Sequence, residues 1–172
     1  MVNNVLIKHA RLSEHFTLGE LCKTSVNSLD GNIPGQEEIE NLKRLCPWLE
    51  ELRKRYNMLY LETRRQGVQG VQDNSEEEPI IVSSGYRSPE VNKCVGGAYS
   101  SNHLTGCAVD IRCVGVEQAI RYAAILLDIA DEWKQDYDEL LIERNRHGRY
   151  WVHFAVRPPK EGNRRKTMFL PT

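Results

Sequence analysis

The chain has 172 residues, 40% of them hydrophobic and 27% charged, which suits one globular domain with a real core and leaves too little for two. Lys and Arg total 23 against 24 Asp and Glu, a formal charge of −1, so nothing recommends nucleic acid or an anionic membrane as a partner. No run approaches the roughly 18–20 apolar residues of a membrane helix, and Met1–Ser13 has neither an apolar h-region nor a small-residue cleavage site. Synthesis in the cytoplasm without a signal peptide is therefore expected, with delivery by another route if the substrate lies outside.

Along the chain, Thr17-Leu18-Gly19-Glu20 fits a capping box that opens a short helix. Turn residues follow from Asn27 to Gly35. From Gln36 to Tyr56, Ile39, Leu42, Leu45, Cys46, Leu49, Leu52 and Tyr56 recur at intervals of three and four, one helical face. Pro47 lies inside that run and predicts a kink or break just before it. Arg64 to Pro79 is polar and acidic, an expected exposed loop. Ile80 to Ser83 reads as a buried strand. Ser88-Pro89-Glu90 supplies a cap, an N1 proline and a first-turn acid for a short helix that Gly96-Gly97 ends.

Ala108 to Arg112 is a second strand, and Val116 to Trp133 a clear amphipathic helix. Glu139–Glu143 and Tyr150–Val156 predict an antiparallel hairpin around His147-Gly148. The basic run Asn163-Arg164-Arg165-Lys166 reads as a solvated tail. The expectation is an α+β fold, helices packed on a small, mainly antiparallel sheet, as one domain over 1–172 with a core of about 18–156 and a tail over 157–172. Cys22, Cys46, Cys94, Cys107 and Cys113 are odd in number and irregularly spaced, so a disulfide framework or cysteine zinc site is not expected.

Catalytic zinc sites take three protein ligands from His and carboxylate and leave a fourth position for water. Of the histidines His9, His15, His103, His147 and His153, His103 precedes a glycine turn and an Asp seven residues on. That Asp110 stands between Val109 and Ile111, and a buried carboxylate is costly unless paired or metal-bound. Pairing with Arg112 would satisfy it equally well. His153 sits in the aromatic and β-branched run Tyr150-Trp151-Val152-His153-Phe154.

Ser84-Gly85-Tyr86-Arg87-Ser88-Pro89, Asn92, Gly96-Gly97-Ala98, the group Ser101-x-His103-x-x-Gly106-x-Ala108-x-Asp110 and Trp151-x-His153 occur in that order. This set resembles the zinc D-alanyl-D-alanine carboxypeptidase family of peptidoglycan peptidases. That family includes phage endolysins and shares its fold with the hedgehog signalling domain. The resemblance implies Zn²⁺ held by His103, Asp110 and His153, and hydrolysis of a peptide bond in peptidoglycan stem peptides, of carboxypeptidase or endopeptidase type. It also implies that Arg87 faces the site and binds a substrate oxygen; the Ser101 hydroxyl can hydrogen-bond substrate or a metal ligand, or simply cap its loop. The HExxH motif of other zinc peptidases is absent.

The general base is open at this point. Relatives place an acid three or six positions before the last His, and here Tyr150 and His147 stand there. Glu143 becomes a cross-strand partner of His153 if the hairpin has a three- or five-residue loop centred on Gly148. A two-residue His147-Gly148 turn would pair Glu143 with Val152 and turn it to the other face. His147 is the alternative base. The missing acid keeps a second function class in play, a catalytically inactive zinc-bound structural or wall-binding module.

Overall fold

A computed structural model describes residues 9–67 and 77–171. Helices α1 (Leu18–Leu21), α2 (Gln36–Gly67), α3 (Pro89–Cys94) and α4 (Val116–Trp133) accompany strands β1 (Val82–Ser84), β2 (Ala108–Cys113), β3 (Glu139–Arg144), β4 (Tyr150–Ala155) and β5 (Lys166–Pro171). Single 3₁₀ turns occupy Asn102–Thr105 and Pro159–Glu161. The strands form one sheet in the order β1-β2-β4-β3-β5. All neighbours are antiparallel except β3 and β5, so the fold is α+β with a mainly antiparallel sheet. Among the described residues no helix is long and apolar enough to cross a membrane.

Local chemistry sets the helix starts as expected. The Thr17 hydroxyl accepts from Glu20 N while the Glu20 carboxylate takes the Thr17 N–H, a complete capping box. Ser88 caps α3 ahead of Pro89. Helix α2 departs from expectation by continuing through Pro47 to Gly67. A mid-helix proline costs about 3 kcal/mol, but Leu42, Leu45, Cys46, Trp48, Leu49 and Leu52 are all buried across that point. Each large apolar side chain buried contributes about 1.5–3 kcal/mol, so the face holds the helix together. The expected loop 64–79 is therefore helical as far as Gly67, and 68–76 lie outside the described residues.

Alternation along the strands divides the sheet into two faces. Val109, Ile111, Val152, Phe154 and Leu140 face α2 and α4 and are at most 1% exposed. Trp48 of α2 packs 5.2 Å from both Trp133 of α4 and Phe154 of β4, and Tyr56 meets Tyr122 edge-on. The opposite face carries Asp110, Leu141, Glu143, Trp151 and His153. The loop, helix and 3₁₀ turn between Gly85 and Gly106 border this second face.

The tail expected over 157–172 is instead built into the fold as far as it is described. Strand β5 runs parallel to β3 from Glu139↔Lys166 to Arg144↔Pro171. Its basic approach is neutralised by acids: Arg164 grips Asp138, and Arg165 pairs with Asp131 and Asp136. The apolar run Met168-Phe169-Leu170 was the available strand signal.

Candidate metal centre

Side chains from the turn ahead of β2, from β2 and from β4 meet on the open face of the sheet. Asp110 and His153 are direct cross-strand partners on β2 and β4. His103 comes from the 3₁₀ turn ahead of β2. The turn closes at Gly106, whose φ of +70° is left-handed and whose missing Cβ lets the carbonyl of Glu38 approach to 2.5 Å of where a Cβ would sit.

His103 Nε2, Asp110 Oδ1 and His153 Nδ1 face one another. The separations are 3.2 Å between His103 and Asp110, 3.2 Å between the two histidines, and 2.9 Å between His153 and Asp110. Tetrahedral zinc with bonds of about 2.0–2.1 Å requires ligand atoms about 3.3 Å apart. The triangle thus has the size of one face of a zinc coordination sphere. All three residues are buried, and they form a group able to hold a metal ion. One carboxylate and two neutral imidazoles leave a divalent ion with a net charge of +1 and room for a fourth ligand.

His103 and Asp110 are held from behind. His103 Nδ1 lies 2.6 Å from the carbonyl of Gly85, so that nitrogen carries the proton and Nε2 presents its lone pair. Gly85 has no alternative residue here: a Cβ would stand 2.1 Å from the carbonyl oxygen of Leu21. Arg87 donates its guanidinium to Asp110 Oδ2 and its Nε to Ser84 Oγ at 2.8 Å. The partner of Asp110 is therefore Arg87, not Arg112. The backbone N–H of Arg87 also donates to the His103 carbonyl at 3.0 Å. The Ser101 hydroxyl accepts from His103 N at 3.3 Å and caps the 3₁₀ turn, on the cleft wall.

Charge confirms how tightly these groups are coupled. Burial would raise the Asp110 carboxyl, but the His103 and His153 rings beside it hold it far below the usual range. Burial would lower His153, yet Asp110 and Glu139 raise it to about 9. A metal entering this group would displace the proton that Asp110 and Glu139 favour on His153.

The hairpin decides where the acids stand. The loop is Asn145 to Arg149, five residues centred on His147 rather than Gly148, with Gly148 at φ +76°. Glu143 therefore pairs with Trp151, and Leu141 pairs with His153. The expected direct opposition of Glu143 and His153 is off by two residues. The odd loop length nevertheless keeps Glu143 on the face of His153, one diagonal step away. Glu143 lines the cleft with Arg87, His103 and Asp110. Burial raises its carboxyl above the ordinary value, partly offset by His153. His147 sits exposed in the loop, its ring beside Arg146.

Reasoning from sequence missed Asp138, Glu139 and Asn102. Glu139 Oε2 lies 3.5 Å from His153 Nε2, and Asp138 is fully buried beneath Arg157 and Arg164. The acidic pair beginning a strand, with a basic run at 164–166, was the signal. No disulfide joins the described thiols, and burial raises Cys22 and Cys113 to about 12.

A family model described as Peptidase M15 matches residues 14–127. No curated protein matches the chain. The matched span includes His103 and Asp110, while His153, Glu143 and Glu139 lie beyond it.

Proposed function

The chain belongs to the peptidase M15 family, and from that premise we propose that it hydrolyses a peptide bond in peptidoglycan stem peptides, with His103, Asp110 and His153 as the zinc ligands. Peptidases of this family are zinc-dependent, and the buried His-Asp-His group is positioned to bind a metal. The observation that carries the reading is the convergence of three ligand atoms into a triangle of zinc dimensions, with a cleft carboxylate on the same sheet face. A zinc ion there supplies a Lewis acid that polarises a peptide carbonyl and acidifies water.

The chain's own residues account for the remaining work. Glu143 takes a proton from the attacking water and returns it to the leaving amine, and its burial suits a carboxyl that must both accept and release. Arg87, fixed by Ser84 and Asp110, orients the Asp110 carboxylate and offers its remaining N–H groups to a substrate oxygen. Trp151 packs across from Glu143 and narrows the cleft. Arg157, Arg164 and Lys166 line the same cleft, paired there with Asp138 and Glu139.

Digestion of defined muropeptides with zinc-loaded protein, read by mass spectrometry, tests this. A discrete cleavage at D-Ala-D-Ala, L-Ala-D-Glu or a cross-bridge is expected and names the bond. Intact muropeptides after prolonged incubation with protein that demonstrably holds zinc would sink the reading and leave the inactive module in its place.

A further inference from the structure

We propose that Glu139 is a positioning residue of the metal centre: its carboxylate receives the Nε2–H of His153 and so holds the ring with Nδ1 turned toward His103 and Asp110. The inference rests on the metal-centre reading above, and concerns a residue outside the triad and outside the proposed proton relay.

The strand register creates the contact. Glu139 is directly opposite Ala155, a partner too small to occupy the space above it, so the longer acid leans along the diagonal to His153. Diagonal neighbours across an antiparallel pair are roughly 7–8 Å apart at Cα, within reach of a glutamate. Glu139 Oε2 comes to 3.5 Å from His153 Nε2, while Nδ1 on the other side of the ring faces Asp110 at 2.9 Å. A neutral imidazole has one N–H. An acceptor on Nε2 places that proton there and frees the Nδ1 lone pair for a metal.

Glu139 is itself immobilised. Oε2 accepts from Asn102 Nδ2 at 3.0 Å, and Oε1 lies 3.2 Å from Lys166 Nζ and 3.0 Å from Arg164 Nη2. Asn102 precedes His103 in the chain, so one carboxylate oxygen ties the turn bearing the first histidine to the ring of the second. Lys166 and Arg164 bring β5 into the same arrangement, which gives the C-terminal strand a role at the centre. A carboxylate satisfied by this many donors is a poor proton acceptor, and its place across the ring from Nδ1 separates it from the base Glu143.

Metal-free wild type, Glu139→Ala and Glu139→Gln are each titrated with zinc against a competing chelator, with melting of the metal-free proteins as the folding control. Outer-shell partners of metal-bound histidines typically change affinity about 10–100-fold. Glu139→Ala is expected to lose affinity in that range, and Glu139→Gln to lose less, because its amide oxygen still accepts the Nε2 proton. Wild-type zinc affinity in a folded Glu139→Ala overturns the proposal. Should that variant not fold, the His153 Nε2–H proton resonance of zinc-bound Glu139→Gln decides: an upfield shift from wild type supports the contact, and an unchanged resonance overturns it. Wild type that binds no zinc at all would instead refute the metal-centre reading itself.

Discussion

Asp110 on β2 and His153 on β4 stand directly opposite each other across the antiparallel ladder, and Oδ1 of one lies 2.9 Å from Nδ1 of the other. Two of the three converging side chains are thus fixed by backbone pairing rather than by loops. A slip of one residue would oppose Asp110 to Val152 or Phe154, whose side chains face the helices. Sites built on strands hold their geometry closely, and only His103 needs separate bracing, which Gly85 and Gly106 provide.

Removing the metal should cost stability. A metal held by the folded centre and not by the unfolded chain would, at about 1,000 times Kd, add about 4 kcal/mol. For a chain of this size, that is a rise in melting temperature of roughly 8–16 °C. Thermal melts with zinc and with excess chelator check it. Coincident melts would contradict a preformed centre.

Glu143→Gln should separate chemistry from binding. A positioned general base contributes typically about 10²–10⁴-fold, so muropeptide cleavage should fall by that factor. Zinc content should stay at the wild-type level, because Glu143 is not among the converging ligand atoms. Retained activity would move the base elsewhere.

Acid should weaken the Asp138 clamp. Burial raises this carboxyl, but Arg164, Asn102 and Arg157 outweigh it and hold it below the ordinary range. A depressed folded value means the clamp stabilises the protein above the unfolded value of about 3.9 and is lost as pH falls further. Asp138→Asn should destabilise the metal-free protein at neutral pH by roughly 1–3 kcal/mol. Denaturant unfolding should show the gap from wild type narrowing below about pH 4. A gap that stays constant with pH would be inconsistent with the carboxylate's role.

Gly85→Ala should damage fold and centre together. The added methyl would stand 2.1 Å from the Leu21 carbonyl, where Tyr86 N–H donates at 2.8 Å. Overpacking of this kind costs typically about 1–3 kcal/mol. Displacement of the Gly85 carbonyl also frees His103 Nδ1, so zinc affinity should drop as well. Calorimetry and zinc titration of the same variant measure both, and a normal affinity would show that His103 needs no backbone acceptor.

Much was legible beforehand because it is written in short-range periodicity. The caps at Thr17 and Ser88, the apolar stripe of α4 and the β3–β4 hairpin follow from spacings within a few residues. His103, Asp110 and His153 could be named as candidates from motif order and the cost of a carboxylate between Val109 and Ile111, and the fold brings the three together. Pro47 was misjudged because a local penalty was weighed without the burial on either side of it. The hairpin register erred by two residues because turn composition alone does not choose the loop's centre.

The sequence by itself determined which residue types could bind a metal and which faces of the strands they occupy, since alternation by two is a local property. Only the tertiary structure decided that Glu139 reaches His153, that Arg87 rather than Arg112 serves Asp110, and that the C-terminal basic run becomes a paired strand. Those contacts join positions on different elements of the chain. They depend on which strands become neighbours and in what register, and that is settled by burial over the whole core rather than by any one segment.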